Sequence, residues 1–432
     1  MPRYHIWTIG CQMNKADSEN IASCMEQYGY RPTAKVDDAD IVVLNSCVVR
    51  QSAESKVTNK IDALRRLDAD KVLAVTGCIV DANIDGLQNR FPRVDVFFGP
   101  QDVGRLSEYL QGRGLIKSSA AAQNLPIKAN ISSLINIMHG CNNFCSYCIV
   151  PYRRGREVSR PLADIVAEVE SVVADGAREV VLLGQNVDSY GHGLAGSPTL
   201  SDLLEELNRI AGLARIRFLT SHPKDMSDQL IEAIARLDKV CKSISLPFQA
   251  GDDGILKSMH RGYTNAQYRN LVERIRSAVP DVALSTDVIV GFPGESEEQY
   301  EQSRRMIEDI RFDTVHIACY SPRAGTMASR DLKDDVPASV KVKRRKELES
   351  LQEQIVSEIN SELMGRTVEV LVEGRKKGKW WGRTRTDKLV FFTDTVDRFG
   401  QLVDIRIESA SAWSLQGGNR GLKRGDVGNW AP

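Results

Sequence analysis

Over residues 1–100, short apolar runs alternate with stretches of helical period. The runs are His5–Ile9, Ile41–Asn45, Val72–Thr76 and Val94–Phe98, with helical patterns around Asp17–Tyr28 and Ala53–Leu67. Strands that alternate with helices return by crossover, which builds a parallel sheet covered by helices. The pattern predicts an open parallel α/β domain over residues 1–117. Residues 101–130 read as a connector that overlaps the end of this domain, with a helix near Val103–Leu110 and the small-residue stretch Ser118–Gln123.

Residues 131–323 repeat the strand–helix rhythm six times. The predicted strands are Leu134–Met138, Val180–Gly184, Ile216–Thr220, Ser243–Pro247, Leu284–Val290 and Val315–Tyr320. Amphipathic stretches such as Ala163–Ala174, Leu203–Ile210 and Tyr268–Ser277 lie between them. A complete eight-unit barrel takes about 250 residues. This shorter segment predicts a partial (β/α)6 barrel. A charged helix over 338–364 is expected to link it to the next domain, so that barrel and linker span 131–363. From 366 to 432 the pieces Val368–Val372, Leu389–Phe392 and Val403–Ile407 stand between Gly-rich, charged turns. They predict a small all-β barrel. The fold class is α/β, with this third unit all-β.

Composition removes several function classes. The chain has 432 residues, 42% hydrophobic and 26% charged, which excludes global disorder and a disulfide mini-protein. Lys+Arg and Asp+Glu are both 57, so a polyanion must be met by a local patch rather than by the whole field. No run approaches about 18 apolar residues, the length that predicts a membrane span. The first residues, MPRYHIWTIG, lack the pattern of a secretory signal, and a cytoplasmic location is expected. In a reducing compartment, nine cysteines read as metal ligands or core residues rather than disulfides.

Cys141-Asn-Asn-Phe-Cys145-Ser-Tyr-Cys148 puts three thiols into eight residues, just after the first barrel strand. Thiolates suit iron–sulfur clusters and zinc. A 4Fe-4S cluster usually takes four cysteines, so a three-cysteine array leaves one iron for an outside ligand. A zinc site, which usually pairs C-x2-C with a second pair, is the competing reading. Cys11, Cys47 and Cys78 share another context: each stands just past the C-terminal end of a predicted strand. That edge of an open α/β sheet is where ligands bind, so the three thiols are expected to converge. Buried structural cysteines are the competing reading there. Cys24 lies within a predicted helix and takes no role, while Cys241 and Cys319, at barrel strands, read as core.

The segment Gly140–Arg160 (GCNNFCSYCIVPYRRGREVSR), with the ordered set Cys11, Cys47 and Cys78, resembles the methylthiotransferases of the radical S-adenosylmethionine (radical SAM) superfamily. The resemblance covers essentially the whole chain and implies a C-terminal TRAM domain. It implies two 4Fe-4S clusters, one on Cys141, Cys145 and Cys148 that binds SAM, and an auxiliary one on Cys11, Cys47 and Cys78. Reductive cleavage of SAM at the first would yield methionine and a 5′-deoxyadenosyl radical. The second is where sulfur is methylated. A reducing electron donor and a sulfur donor are implied as partners. Thr8–Glu19, with Gln12-Met13-Asn14, is similar to the MiaB type, which methylthiolates isopentenylated adenosine beside the tRNA anticodon. Related types act on threonylcarbamoyl-adenosine or on a ribosomal-protein aspartate. A non-catalytic iron–sulfur RNA-binding regulator is a reading from a different class.

Polar residues interrupt the barrel strand ends, where (β/α) barrels carry function. By resemblance Gln185, Asn186, Ser221, Gln249, Arg261 and Asp287 line the cofactor pocket. His222 and Gly291–Glu295 belong to the same set of strand ends, with ordinary loop chemistry as the alternative. From Arg366 to Pro432 there are 13 Lys+Arg against 8 Asp+Glu. Arg375, Lys376, Lys377, Lys379, Arg383 and Arg385 surround Trp380-Trp381, and cations with aromatics suit phosphates and unpaired bases. Arg153, Arg154 and Arg156 are expected to meet phosphates or to form ion pairs inside the barrel. A target base must leave its stack to reach a buried site, which favours an anticodon loop.

Overall fold

The computed structural model describes residues 1–47, 51–64, 70–80, 84–100, 102–116 and 130–419. The stretch Ser118–Gln123, the end of the helix expected over Ala53–Leu67 and the chain after Asn419 lie outside the described residues.

The first unit is a five-stranded parallel sheet. Its strands are Arg3–Ile9, Arg31–Pro32, Ile41–Ser46, Val72–Gly77 and Val96–Phe97, in spatial order second, first, third, fourth, fifth. Every residue of Ile41–Ser46 and Val72–Gly77 is buried, as expected of strands covered on both faces. Helices Gln12–Gln27, Gln51–Leu64, Ile84–Arg90 and Val103–Gly112 accompany the sheet. The two-residue strand Arg31–Pro32 was not legible in the hydrophobic pattern, because it is exposed and carries no apolar run. In this strand order the chain reverses direction between the first and third strands, and the crevice at their carboxyl ends is the expected ligand site.

The second unit is an open barrel of two three-stranded parallel sheets. One joins Ser132–Asn136, Glu179–Leu183 and Arg215–Phe218; the other joins Ser243–Ser245, Ala283–Val290 and Thr314–Cys319. A bridge between Ile216 and Val240 links the two halves. Along Ala283–Val290, buried residues alternate with the half-buried Ser285, Asp287 and Ile289, which face the lumen. Opposite faces of the strands pack on the outer helices in one large core that includes Ile135, Leu182, Ile216, Leu284 and Phe312.

Both neighbouring units lie against this barrel. Met13 and Ala16 of the first helix pack with Val181 and Leu183 on the lumen side. The linker helix Ala338–Ser361 packs along the last barrel strand, and Arg344 pairs with the buried Glu295 at 2.8 Å. Glu295 also accepts the Gly291 N–H at 2.6 Å, so the Gly291–Glu295 motif ties the barrel to the linker.

The third unit is a closed five-stranded barrel of Thr367–Lys376, Lys379–Thr384, Leu389–Thr393, Leu402–Ala410 and Leu415–Asn419. Two of these strands escape the pattern reading. Lys379–Thr384 sets Lys379, Trp381 and Arg383 between its buried residues, and Leu415–Asn419 is largely glycine and polar. The turn after Lys379–Thr384 closes the bottom of the larger barrel. There Arg215 donates to the Arg383 carbonyl at 2.6 Å and pairs with Glu369 at 2.9 Å. Arg217 pairs with Glu179 at 2.9 Å and donates to the carbonyls of Thr384 and Arg385. Arg217 and Glu179 are 7% and 4% exposed, so each depends on the other for charge compensation.

Arg217→Ala leaves Glu179 buried without its cation. The expected loss is about 3–5 kcal/mol, read as a lower denaturant midpoint. Adding Glu179→Gln is expected to recover part of it. Equal losses in the single and double variants would contradict the pairing.

Candidate active site

Cys11, Cys47 and Cys78 follow the first, third and fourth strands of the N-terminal sheet directly. The sheet register continues into them: Cys47 N–H donates to the Ile9 carbonyl and Cys78 N–H to the Ser46 carbonyl, both at 2.7 Å. Glycine precedes two of the three for a steric reason. A Cβ on Gly10 would stand 2.6 Å from the Cys47 Cβ, and one on Gly77 would stand 2.2 Å from the Ser46 carbonyl. The thiols lie side by side: Cys47 is close enough to Cys11 and Cys78 to lower the pKa of both.

The Cys47 contact pulls the Cys11 thiol down to about 5 against the opposing effect of burial. It pulls Cys78 down to about 6 in the same way, with Arg154 adding to both. Asn14 holds the arrangement from beneath. Its Oδ1 accepts the Cys11 N–H at 3.3 Å, and its Nδ2 donates to Asn45 Oδ1 at 2.9 Å. Asn14 and Met13 are buried and Gln12 is exposed, so two residues of the Gln12-Met13-Asn14 signature serve packing and cysteine placement.

The barrel set sits on the loop after Ser132–Asn136. That loop is anchored at several points: Cys141 N–H to the Gly155 carbonyl at 3.2 Å, Ser146 N–H to the Met259 carbonyl at 3.0 Å, and Ser146 Oγ to the Ser258 carbonyl at 2.7 Å. Arg261 is fully enclosed. It donates to Cys145 Sγ at 3.3 Å, to Tyr263 Oη at 3.1 Å and to the Pro247 carbonyl at 3.0 Å. Three of its five N–H donors are thus engaged around the cysteine loop and the fourth strand end. Burial pushes the Cys148 thiol up to about 12 and raises Cys141 as well. Thiols in such surroundings ionise only beside strong positive charge, which a bound metal would supply. Among the described residues, no group of three His, Cys, Asp or Glu side chains is spaced to hold a single metal ion.

The other barrel-end residues gather at the same mouth. Asn186 donates to Asp225 at 2.7 Å, and Ser221 donates to Asp188 at 2.8 Å. Gln249 adopts a left-handed backbone (φ +68°), with its N–H bonded to the Asp287 carbonyl at 2.9 Å. Asp287 lies half-buried on the lumen face. Three buried polar atoms here have no protein partner: Gln185 Oε1, Asn186 Oδ1 and His222 Nε2. Such groups ordinarily find a partner, so they mark a place for a polar ligand. Burial depresses His222 to about 2, which keeps the imidazole neutral. Asp188, pushed up to about 7 by burial, was not singled out by sequence. Its signal was the acidic residue three positions after Gln185, at a strand end.

The expected RNA-facing cations divide into two groups. Arg375, Lys376, Lys377 and Lys379 are exposed around the turn joining Thr367–Lys376 to Lys379–Thr384. Arg375 lies over the Trp380 ring at 5.3 Å, and Trp380 itself is packed in the core. Arg383 pairs with Asp387 at 3.5 Å and Glu373 at 3.6 Å. Arg385 donates to the carbonyls of Asp238 and Val240, so its charge serves the seam with the barrel. Arg154 turns inward to Asp17, whereas the Arg156 guanidinium lies over Phe144 at 4.4 Å.

Comparison with known proteins agrees with this layout. Residues 135–307 match the radical SAM superfamily, residues 3–99 match an uncharacterized protein family, UPF0004, and residues 362–418 match the TRAM domain. Among solved structures, the radical S-adenosylmethionine methyltransferase TsrM from Kitasatospora setae shares the fold. The TM-score is 0.55 at 15% identity, covering 76% of this chain and 77% of that one. A tRNA-2-methylthio-N(6)-dimethylallyladenosine synthase of Dehalococcoides mccartyi (strain CBDB1) is 52% identical over 419 residues, 96% of this chain and 98% of its own. The Chloroflexus aurantiacus protein of the same name is 47% identical over 426 residues, 96% of this chain and 91% of its own. With full-length likeness at this level and the three matched domains in order, the chain belongs to the radical SAM family of tRNA-2-methylthio-N(6)-dimethylallyladenosine synthases.

Proposed function

We propose that this chain transfers a methylthio group to C2 of N6-isopentenyladenosine beside the anticodon of tRNA, giving 2-methylthio-N6-dimethylallyladenosine. Membership of the radical SAM superfamily implies one 4Fe-4S cluster and SAM. The proposal adds a second cluster on Cys11, Cys47 and Cys78, and the observation that carries it is the meeting of those three thiols at one sheet edge. When bound, the clusters and SAM supply the radical and the sulfur chemistry. General acid–base catalysis contributes only about 10²–10⁴-fold, too little for an adenine C2–H that no side-chain base can remove.

The residues of the chain bind, orient and exclude water. Cys141, Cys145 and Cys148 would hold the first cluster, with Arg261 fixing Cys145. Gln185, Asn186 and His222 offer unpaired polar atoms to SAM or the substrate. Ser221 is fixed by Asp188, while Gln249 and Asp287 line the same mouth. The exposed Arg375, Lys376, Lys377 and Lys379 would meet tRNA phosphates. An electron donor and a sulfur donor complete the reaction, and no helix among the described residues is long and apolar enough to cross a membrane. The names of the relatives favour this substrate over threonylcarbamoyl-adenosine and over a protein aspartate.

The deciding experiment is anaerobic reconstitution of the full chain, followed by an assay with isopentenylated tRNA and SAM. About eight irons per chain, two clusters of four, with methylthiolated product would support the proposal. About four irons would remove the second cluster, and tightly held zinc without iron would remove both.

Two variants separate the roles of the cysteine sets. Cys145→Ala is expected to abolish 5′-deoxyadenosine production; normal production would contradict its place in the SAM-binding site. Cys47→Ala is expected to cleave SAM yet make no methylthio product, and thioether formation by it would contradict the second site. Replacing Lys376 and Lys377 together by Glu should weaken tRNA binding and flatten its salt dependence, by about one unit of log–log slope for each phosphate no longer neutralised. An unchanged slope would remove this turn from the RNA-facing surface.

A further inference from the structure

Arg154 is the last residue of the short helix Val150–Arg154, six positions after Cys148, yet its side chain leaves the barrel. Its Nε–H donates to Cys78 Sγ at 3.3 Å, and its Nη2 pairs with Asp17 Oδ2 at 3.0 Å. The side chains of Arg154 and Asp17 are 3% and 4% exposed. Arg154 Nη1 is buried with no partner in the protein. The next residue, Gly155, accepts the Cys141 N–H through its carbonyl, so the backbone carrying this guanidinium is tied to the barrel cysteine loop. A path therefore runs by hydrogen bond from Cys141 to Gly155, along the chain to Arg154 and by hydrogen bond to Cys78, which lies beside Cys47.

We infer that Arg154 is a positioning residue for the N-terminal cluster, supplied by the barrel's own cysteine loop, and that it raises the reduction potential of that cluster. The inference rests on the two-cluster reading proposed above. Hydrogen bonds to cluster sulfurs and nearby positive charge stabilise the reduced, more negative form. Arg154 brings both: one N–H on a ligand sulfur and a buried cation beside it. The unpaired Nη1 is a donor of the kind a cluster sulfur accepts, which accounts for a polar atom that the protein alone leaves unsatisfied. Asp17 acts in the opposite sense, as a buried anion that orients the guanidinium and offsets part of its charge. A lysine has no planar fork with which to bond a sulfur and a carboxylate at once.

The test uses the full-length, reconstituted chain and an EPR-monitored redox titration that resolves both clusters, with the barrel cluster as internal reference. Arg154→Gln is expected to shift the N-terminal cluster to lower potential, and Asp17→Asn to shift it higher. Arg154→Lys should fall between wild type and Arg154→Gln. Methylthio product should drop by roughly 10–100-fold in Arg154→Gln, the usual cost of losing an outer-shell partner. A merely structural latch would move Arg154→Gln and Asp17→Asn in the same direction, or move neither, and either result overturns the inference. If Arg154→Gln fails to retain the N-terminal iron, the opposite-signed shifts of Asp17→Asn and Arg154→Lys decide it. Four irons in the wild type would overturn the two-cluster reading itself. Eight irons with potentials that ignore Asp17→Asn and Arg154→Lys would overturn this inference alone.

Discussion

A buried guanidinium needs its charge compensated, and at each seam between its units this chain does so with a carboxylate. Arg154 crosses from the barrel loop to Asp17 and Cys78 in the N-terminal unit. Arg217 stands on Glu179 beneath the C-terminal barrel, and Arg344 of the linker helix stands on Glu295. Burying such a pair gives little net stability, but separating its members costs several kcal/mol, roughly 3–5. The pairs therefore act less as glue than as registration marks. They make wrong docking expensive, which matters where cysteines of two different units are to be held in register.

The electrostatics of the two sets differ because their surroundings differ. The N-terminal thiols lie against one another and against Arg154, so Cys11 and Cys78 are held below the usual thiol range. In the barrel, burial dominates and Cys141 and Cys148 are held above it. Burial also wins at Asp17, lifted to about 6 even though Arg154 faces it. Cys11 and Cys78 are drawn toward the thiolate by the protein itself, whereas Cys141 and Cys148 need the charge of what they bind.

Most of the architecture was legible in the sequence, because covered parallel strands are long apolar runs and the outer helices are amphipathic. All six barrel strands and the four principal strands of the N-terminal sheet announce themselves this way. The common placement of Cys11, Cys47 and Cys78 was legible too, since the end of an apolar run marks a sheet edge. Partners were not. Asp17 lies 137 positions from Arg154, and nothing local distinguishes it from a solvated helix residue. Asn14 belongs to the signature that marks the substrate type, but its contacts with Cys11 and Asn45 leave no local signal. Strands that lack apolar alternation, such as Arg31–Pro32 and Leu415–Asn419, left no periodic signal.

The cations of the C-terminal barrel show the same limit most plainly. Arg375 to Arg385 is one basic stretch in sequence, but it folds as a strand with two ends. Six residues, Lys379–Thr384, separate the turn at one end from the seam at the other. At about 3.4 Å per residue, that is roughly 20 Å. Arg383 and Arg385 fall at the seam end, where carboxylates and barrel carbonyls take up their donors. Arg375, Lys376, Lys377 and Lys379 fall at the other end, exposed to solvent. A run of like charge therefore divides into one group that fixes the domain and one that remains free for a polyanion. Only the strand direction, and not the composition, makes that division.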